Sequence, residues 1–111
     1  MLRDNQFLLD MLQSAELVEK YVKDCSKEDF VNDVLLQDAV IRRLLIIAEA
    51  AKRVSEKTKQ KLISIAWREI NGMRNRLVHE YDDVNLNIVW NVIKQEIPVL
   101  IEELRSQLPS E

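Results

Sequence analysis

The stretch Asp33-Val-Leu-Leu-Gln-Asp-Ala-Val-Ile-Arg-Arg-Leu-Leu-Ile-Ile-Ala-Glu-Ala-Ala-Lys-Arg-Val54 decides the fold. Leu36, Val40, Leu44, Ile47, Ala51 and Val54 recur at steps of three and four, the period of one helical face. Between Leu44 and Ala48 the stretch is apolar almost all round, which predicts a central helix with neighbours on several sides. Those neighbours are readable in both directions. From Asp4 to about Cys25, Leu8, Met11, Ala15, Val18, Val22 and Cys25 make one buried stripe, so this is a first long helix. Ser26 to Asp29 has the spacing of a capping box and predicts a short bridging helix ending near Asn32.

Downstream, Ser55 to Lys61 is polar and basic without strong periodicity, and it reads as an irregular connection or a frayed helix start. Helicity resumes at Leu62 or Ile63 and continues through Trp67, Ile70, Met73, Leu77 and Val78. The lone Gly72 on that path predicts close approach of another backbone or a helix break. Asp82 to Asn85 reads as a turn with Asn85 as N-cap. A last helix then carries Leu86, Val89, Trp90, Ile93, Ile97, Leu100, Ile101 and Leu104, and Pro98 is predicted to kink it. Four long amphipathic helices with short connections predict an all-α, antiparallel up-down four-helix bundle with one additional short helix. Trp67 and Trp90 lie on apolar stripes and are read as core anchors.

Composition agrees. One glycine and two prolines among 111 residues leave out the turn chemistry that a sheet protein needs at each hairpin. The chain is long enough for one core and too short for two, giving a single domain over residues 1–111. Its apolar runs fall far short of a membrane span, and its first residues do not resemble a secretion signal. A single cysteine, Cys25, excludes an intrachain disulfide, and one cysteine with one histidine cannot complete a structural zinc site. The expectation is a cytoplasmic protein without membrane association, metal or cofactor, with Cys25 as a small core residue. Net charge is −3, yet Arg42 to Arg76 holds ten Lys or Arg against three Glu, so that stretch carries +7 and the remainder −10. A basic middle of this kind can grip a polyanion locally; charge alone fits solvated helix faces equally well.

Chemistry concentrates in Arg74-Asn-Arg-Leu-Val-His-Glu-Tyr81, which contains the only histidine. Histidine both takes and gives a proton near neutrality, with an ordinary pKa of about 6.5. Arginine keeps its charge and presents a planar fork that fits a phosphate. Together they point to work on a phosphodiester. Five helical residues turn through about 500°, so Arg74 and His79 stand roughly 140° apart on a regular helix. Convergence therefore needs a helix that ends before His79 or a second subunit. Cleaving RNA through its own 2′-hydroxyl is helped by both a base and an acid, and two chains supply two histidines.

The pattern Arg-x4-His-x-Tyr over Arg74 to Tyr81 resembles the motif of the HepT-like toxins in the HEPN superfamily of ribonucleases. The similarity extends to Arg42-Arg43-Leu-Leu-Ile-Ile-Ala-Glu49-Ala-Ala-Lys, to Trp67-Arg-Glu-Ile70-Asn-Gly72-Met-Arg74, and to Val89-Trp90 with Ile97-Pro98, about residues 33 to 104 in all. It implies a HEPN-like homodimer whose active segments meet at the two-fold axis, acting on RNA as a metal-independent endoribonuclease. It implies Arg74 as the phosphate and transition-state cation, His79 as the acid/base residue, and Asn75 as the polar residue that orients RNA or the histidine. It further implies the toxin component of a type VII-like toxin-antitoxin system, neutralised when an MntA-like nucleotidyltransferase antitoxin AMPylates Tyr81.

Each residue also has a plainer reading. His79 can cap a helix end and Tyr81 can be a half-buried anchor. Arg74 and Arg76 can be surface ion-pair partners of Glu69 or Glu80; Arg76 is alternatively an RNA-binding residue. The competing functional class is a catalytically inactive helical module that only pairs with a nucleotidyltransferase partner.

Overall fold

The computed structural model describes residues 2–77 and 84–108. Within them the chain is helical: α1 Leu2–Tyr21, α2 Lys27–Val31, α3 Val34–Arg53, α4 Glu56–Lys61, α5 Trp67–Asn71, α6 Met73–Leu77, α7 Leu86–Asn91, a π-helical turn Val92–Glu96, and α8 Ile97–Gln107. No strand occurs among the described residues, and none of their helices is long and apolar enough to cross a membrane. The all-α bundle read from the sequence is the fold.

Two polar contacts give the helix directions. Asp4, at the start of α1, accepts from the backbone N–H of Ser55, just past the end of α3, at 3.0 Å. The two helices are therefore antiparallel. Arg105 near the end of α8 pairs with Glu16 of α1 at 2.6 Å, while Ile93 and Pro98 face the α1 end around Val22. The last rod thus also runs against α1.

The central helix is as expected, with Val40, Leu44, Ile47 and Ala51 fully buried. Asp33 caps it, its carboxylate accepting from Leu36 N–H at 3.0 Å. The capping box at Ser26 and Asp29 also forms, both reciprocal bonds being present. The short helix it starts is part of the core rather than an appendage: Phe30 is fully buried, its ring 5.5 Å from that of Trp90. Gln37 ties it to α3 by donating to the carbonyls of Phe30 and Val31, both at 2.9 Å.

Several expectations are corrected. The first helix ends at Tyr21, short of Cys25; Val22 stays buried beyond the end, so the apolar stripe outlasts the helix. Asp24, at φ 62°, turns the chain through the left-handed region. Cys25 is half-buried against the core, and desolvation, with the carboxylates of Asp29 and Asp33, pushes its thiol pKa up. Ser55 to Lys61 is not irregular: Ser55 caps the regular helix α4, whose lack of buried residues explains why no stripe announced it. Conversely, Leu62 to Ala66 is a turn, and helicity resumes only at Trp67. Trp67 donates from Nε1 to the carbonyl of Leu62 at 3.0 Å and so closes that turn. Both tryptophans pack against the core as anchors.

Gly72 interrupts the helix only slightly. Its N–H donates to Arg68 O and its carbonyl accepts from Arg76 N–H, both at 3.1 Å and both helical in spacing. A Cβ there would meet no foreign backbone, only Arg68 O at 3.4 Å and Glu69 O at 3.9 Å. Pro98 does not break the last helix either. The preceding turn widens to π geometry, with Ile97 N–H donating to Val92 O, and the rod continues to Gln107. Widening accommodates the missing donor and the ring of proline.

Candidate active site

The motif begins on α6, whose position is set by burial. Met73 and Leu77, one helical turn apart, are both buried and pin the helix to α3 and α7. The residues between them face outward: Arg74 and Asn75 are exposed and Arg76 is half-buried. Fixing the helix by its apolar side leaves the Arg74 cation and the Asn75 amide on a rigid support open to solvent. Among the described residues Arg74 has no ion-pair partner. The Leu77 carbonyl accepts from Asn85 N–H at 3.1 Å, and Asn85 caps α7 by accepting from Ile88 N–H at 3.1 Å. His79 and Tyr81 lie outside the described residues, as does the Asp82-Asp83 part of the expected turn.

Arg76 is engaged differently from its neighbour. Its guanidinium forks onto Glu96, with Nη1 to Oε1 at 2.9 Å and Nη2 to Oε2 at 2.5 Å. Both side chains are about one-third exposed. This is the bidentate geometry in which arginine binds carboxylates best. The hydrogen bonds to Glu96 raise the Arg76 pKa above its ordinary value against the opposing effect of burial, and the Glu69 charge adds a weaker attraction. The sequence favours Glu69 or Glu80 as the partner; the pair is formed with Glu96. Glu96 ends the π-helical turn, so the fork braces the motif helix against the last rod.

A shallow groove opens beside this brace, lined by Asn75, Arg76, Asn85, Asn87, Ile88 and Asn91. Sequence reasoning did not single out Asn87 or Asn91. Their four-residue spacing was the available signal, since it places both amides on one face of α7. Among the described residues no three His, Cys, Asp or Glu side chains converge as a metal site would require.

Comparison with known proteins gives a consistent result. The chain matches the family described as Ribonuclease HepT-like over residues 11–106. A protein of Caldanaerobacter subterraneus subsp. tengcongensis is 41% identical over 95% of this chain and 94% of its own length. "Probable ribonuclease HepT" of Thermococcus cleftensis is 38% identical over 89% of this chain and 93% of its own length. A longer protein of Methanocaldococcus jannaschii is 43% identical over 88% of this chain, which spans 44% of that protein. No solved structure matches.

Proposed function

The chain belongs to the Ribonuclease HepT-like family and is by that membership a ribonuclease, and from this premise we propose that residues 1–111 form one metal-independent endoribonuclease domain, the toxin of a toxin-antitoxin pair. The observation that carries the site assignment is the exposure of Arg74 and Asn75 on a helix locked by the burial of Met73 and Leu77. A cation held on a rigid element stabilises charge that develops on a phosphate without having to reorganise.

In the proposed reaction, the 2′-hydroxyl of the RNA attacks the adjacent phosphorus. One His79 accepts the hydroxyl proton, the P–O5′ bond breaks, and the departing 5′-oxygen receives a proton. The products are a 2′,3′-cyclic phosphate and a 5′-hydroxyl. Arg74 neutralises the charge on the non-bridging oxygens, and Asn75 orients the RNA or the imidazole. A homodimer, by bringing two histidines to one cleft, provides both the base and the acid. AMPylation of Tyr81 by an MntA-like nucleotidyltransferase antitoxin adds a negative phosphate and a bulky base two residues from His79, and both oppose entry of the RNA backbone. We place this action in the cytoplasm, where a lone cysteine stays reduced.

Incubating purified protein with total RNA, with and without chelator, tests the assignment. Wild type is expected to leave cyclic phosphate ends under both conditions, while folded His79→Ala and Arg74→Ala lose about 10² to 10⁴ in rate. Cleavage by His79→Ala at the wild-type rate, or its loss with chelator, overturns the mechanism. For the modification, coexpression with the transferase should add AMP to the wild type and not to Tyr81→Phe; full neutralisation of Tyr81→Phe by modification elsewhere refutes the tyrosine.

A further inference from the structure

Four of the chain's seven asparagines line one groove. Only one has a structural explanation there: Asn85 uses its side-chain oxygen to cap α7. Asn91 has helical backbone angles at the junction of α7 and the π turn, where its side chain makes no capping bond. Asn75 sits within α6, and Asn87 is in the first turn of α7. In helix interiors asparagine is worse than alanine by about 0.7 kcal/mol, because its amide competes with the backbone for hydrogen bonds. All three are exposed, and among the described residues none of their side-chain amides is hydrogen-bonded. At Asn75 and Asn91, helix propensity alone would not select an amide.

The groove's electrostatics narrow the ligand. Among the described residues that line the groove, the one cation, Arg76, is neutralised by the fork onto Glu96, so their charges nearly cancel, whereas Arg74, next to Asn75 in the chain, has no ion-pair partner among the described residues. A phosphate would favour Arg74; an uncharged group rich in donors and acceptors would favour the groove. Ile88, half-buried, adds an apolar surface. The space amounts to about 510 Å³, inside the usual range of small-ligand clefts. Unstacked bases of single-stranded RNA are read by hydrogen bonds to their edges, and an asparagine amide matches adenine best, accepting from N6 and donating to N7.

We propose that this amide-lined groove between α6 and α7 is a nucleobase subsite, in which Asn87 and Asn91 read an adenine flanking the phosphate held by Arg74. The subsite rests on the ribonuclease reading for its place beside the scissile bond, but base recognition can be measured separately from cleavage.

The test uses His79→Ala protein, expected to cut its probe at least about a hundredfold more slowly, and short oligoadenylate, oligocytidylate and oligouridylate RNAs of equal length, with binding followed by fluorescence anisotropy. Oligoadenylate is expected to bind about tenfold more tightly than oligouridylate, within the range of one bidentate amide–adenine pair. Adding Asn87→Ala and Asn91→Ala should bring the ratio below about twofold. The dependence of binding on salt should not change, because no phosphate contact is removed. Alanine favours helix, so thermal unfolding should occur no lower than in the parent. A ratio that survives the double substitution, or a parent without base preference, overturns the subsite. Cleavage of the same RNAs by protein with His79 intact separates the two readings. Selective binding without cleavage sinks the ribonuclease reading and leaves the subsite standing, whereas cleavage with unaltered base preference in the double variant sinks the subsite alone. Protein that binds none of the RNAs refutes both.

Discussion

Replacing Asp4 by asparagine tests how the first helix is held. The Asp4 carboxylate is 5% exposed and receives the backbone N–H of Ser55 at 3.0 Å, the Ser55 hydroxyl at 2.6 Å and the Thr58 hydroxyl at 2.5 Å. These donors, the Ser55 and Thr58 hydroxyls foremost, favour the ionised form and lower its pKa from 3.8 to about 2 despite the opposing effect of burial. At about 1.4 kcal/mol per factor of ten in the proton equilibrium, ionisation stabilises the fold by about 2 kcal/mol. The folded pKa is the lower one, so that contribution is fully present above the unfolded value of 3.8 and is lost as pH falls through about 2. The substituted amide keeps the shape and one oxygen but cannot ionise. Urea unfolding of both proteins from about pH 2 to pH 7 should show Asp4→Asn less stable by about 2 kcal/mol at neutrality, with the gap closing through the acid range. Equal stability at pH 7, or a gap that does not change with pH, would refute the reasoning.

Glu96→Gln leaves the half-buried Arg76 without its charged partner and should lower stability by about 1–2 kcal/mol, measured by denaturant unfolding; the exchange Arg76→Glu with Glu96→Arg should restore part of it. Gly72→Ala, at the C-cap of α5 where φ is −86° and ψ 1°, open to any L residue, and a Cβ finds its nearest atom at 3.4 Å, should raise the thermal midpoint, consistent with a gain of about 0.5–1 kcal/mol. Phe30→Ala removes a fully buried ring stacked at a tilt on Trp90 and should cost about 3–5 kcal/mol by the same unfolding assay. Sedimentation at micromolar concentration should show a dimer, and a monomer throughout would contradict the proposed shared cleft.

Much of this protein is legible in its sequence because burial repeats. The stripe on Asp33 to Val54 announces the central helix, and the caps at Ser26 and Asn85 mark helix starts through bonds confined to a few neighbouring residues. The Arg74 to Tyr81 motif is legible too, since its chemistry is carried by residue types at fixed spacing. Where burial and helix part company, sequence reading fails: Val22 is buried beyond the end of α1, and α4 is a helix with nothing buried. Tertiary structure alone decided the rest. Glu96 lies twenty residues from Arg76 in the chain, and only the packing of α6 against the last rod, with its π turn ahead of Pro98, joins them into a fork. The same packing sets Asn75 opposite Asn87 and Asn91. Local preferences act over a few residues and specify elements and caps; contacts between distant elements depend on how whole helices bury their faces together.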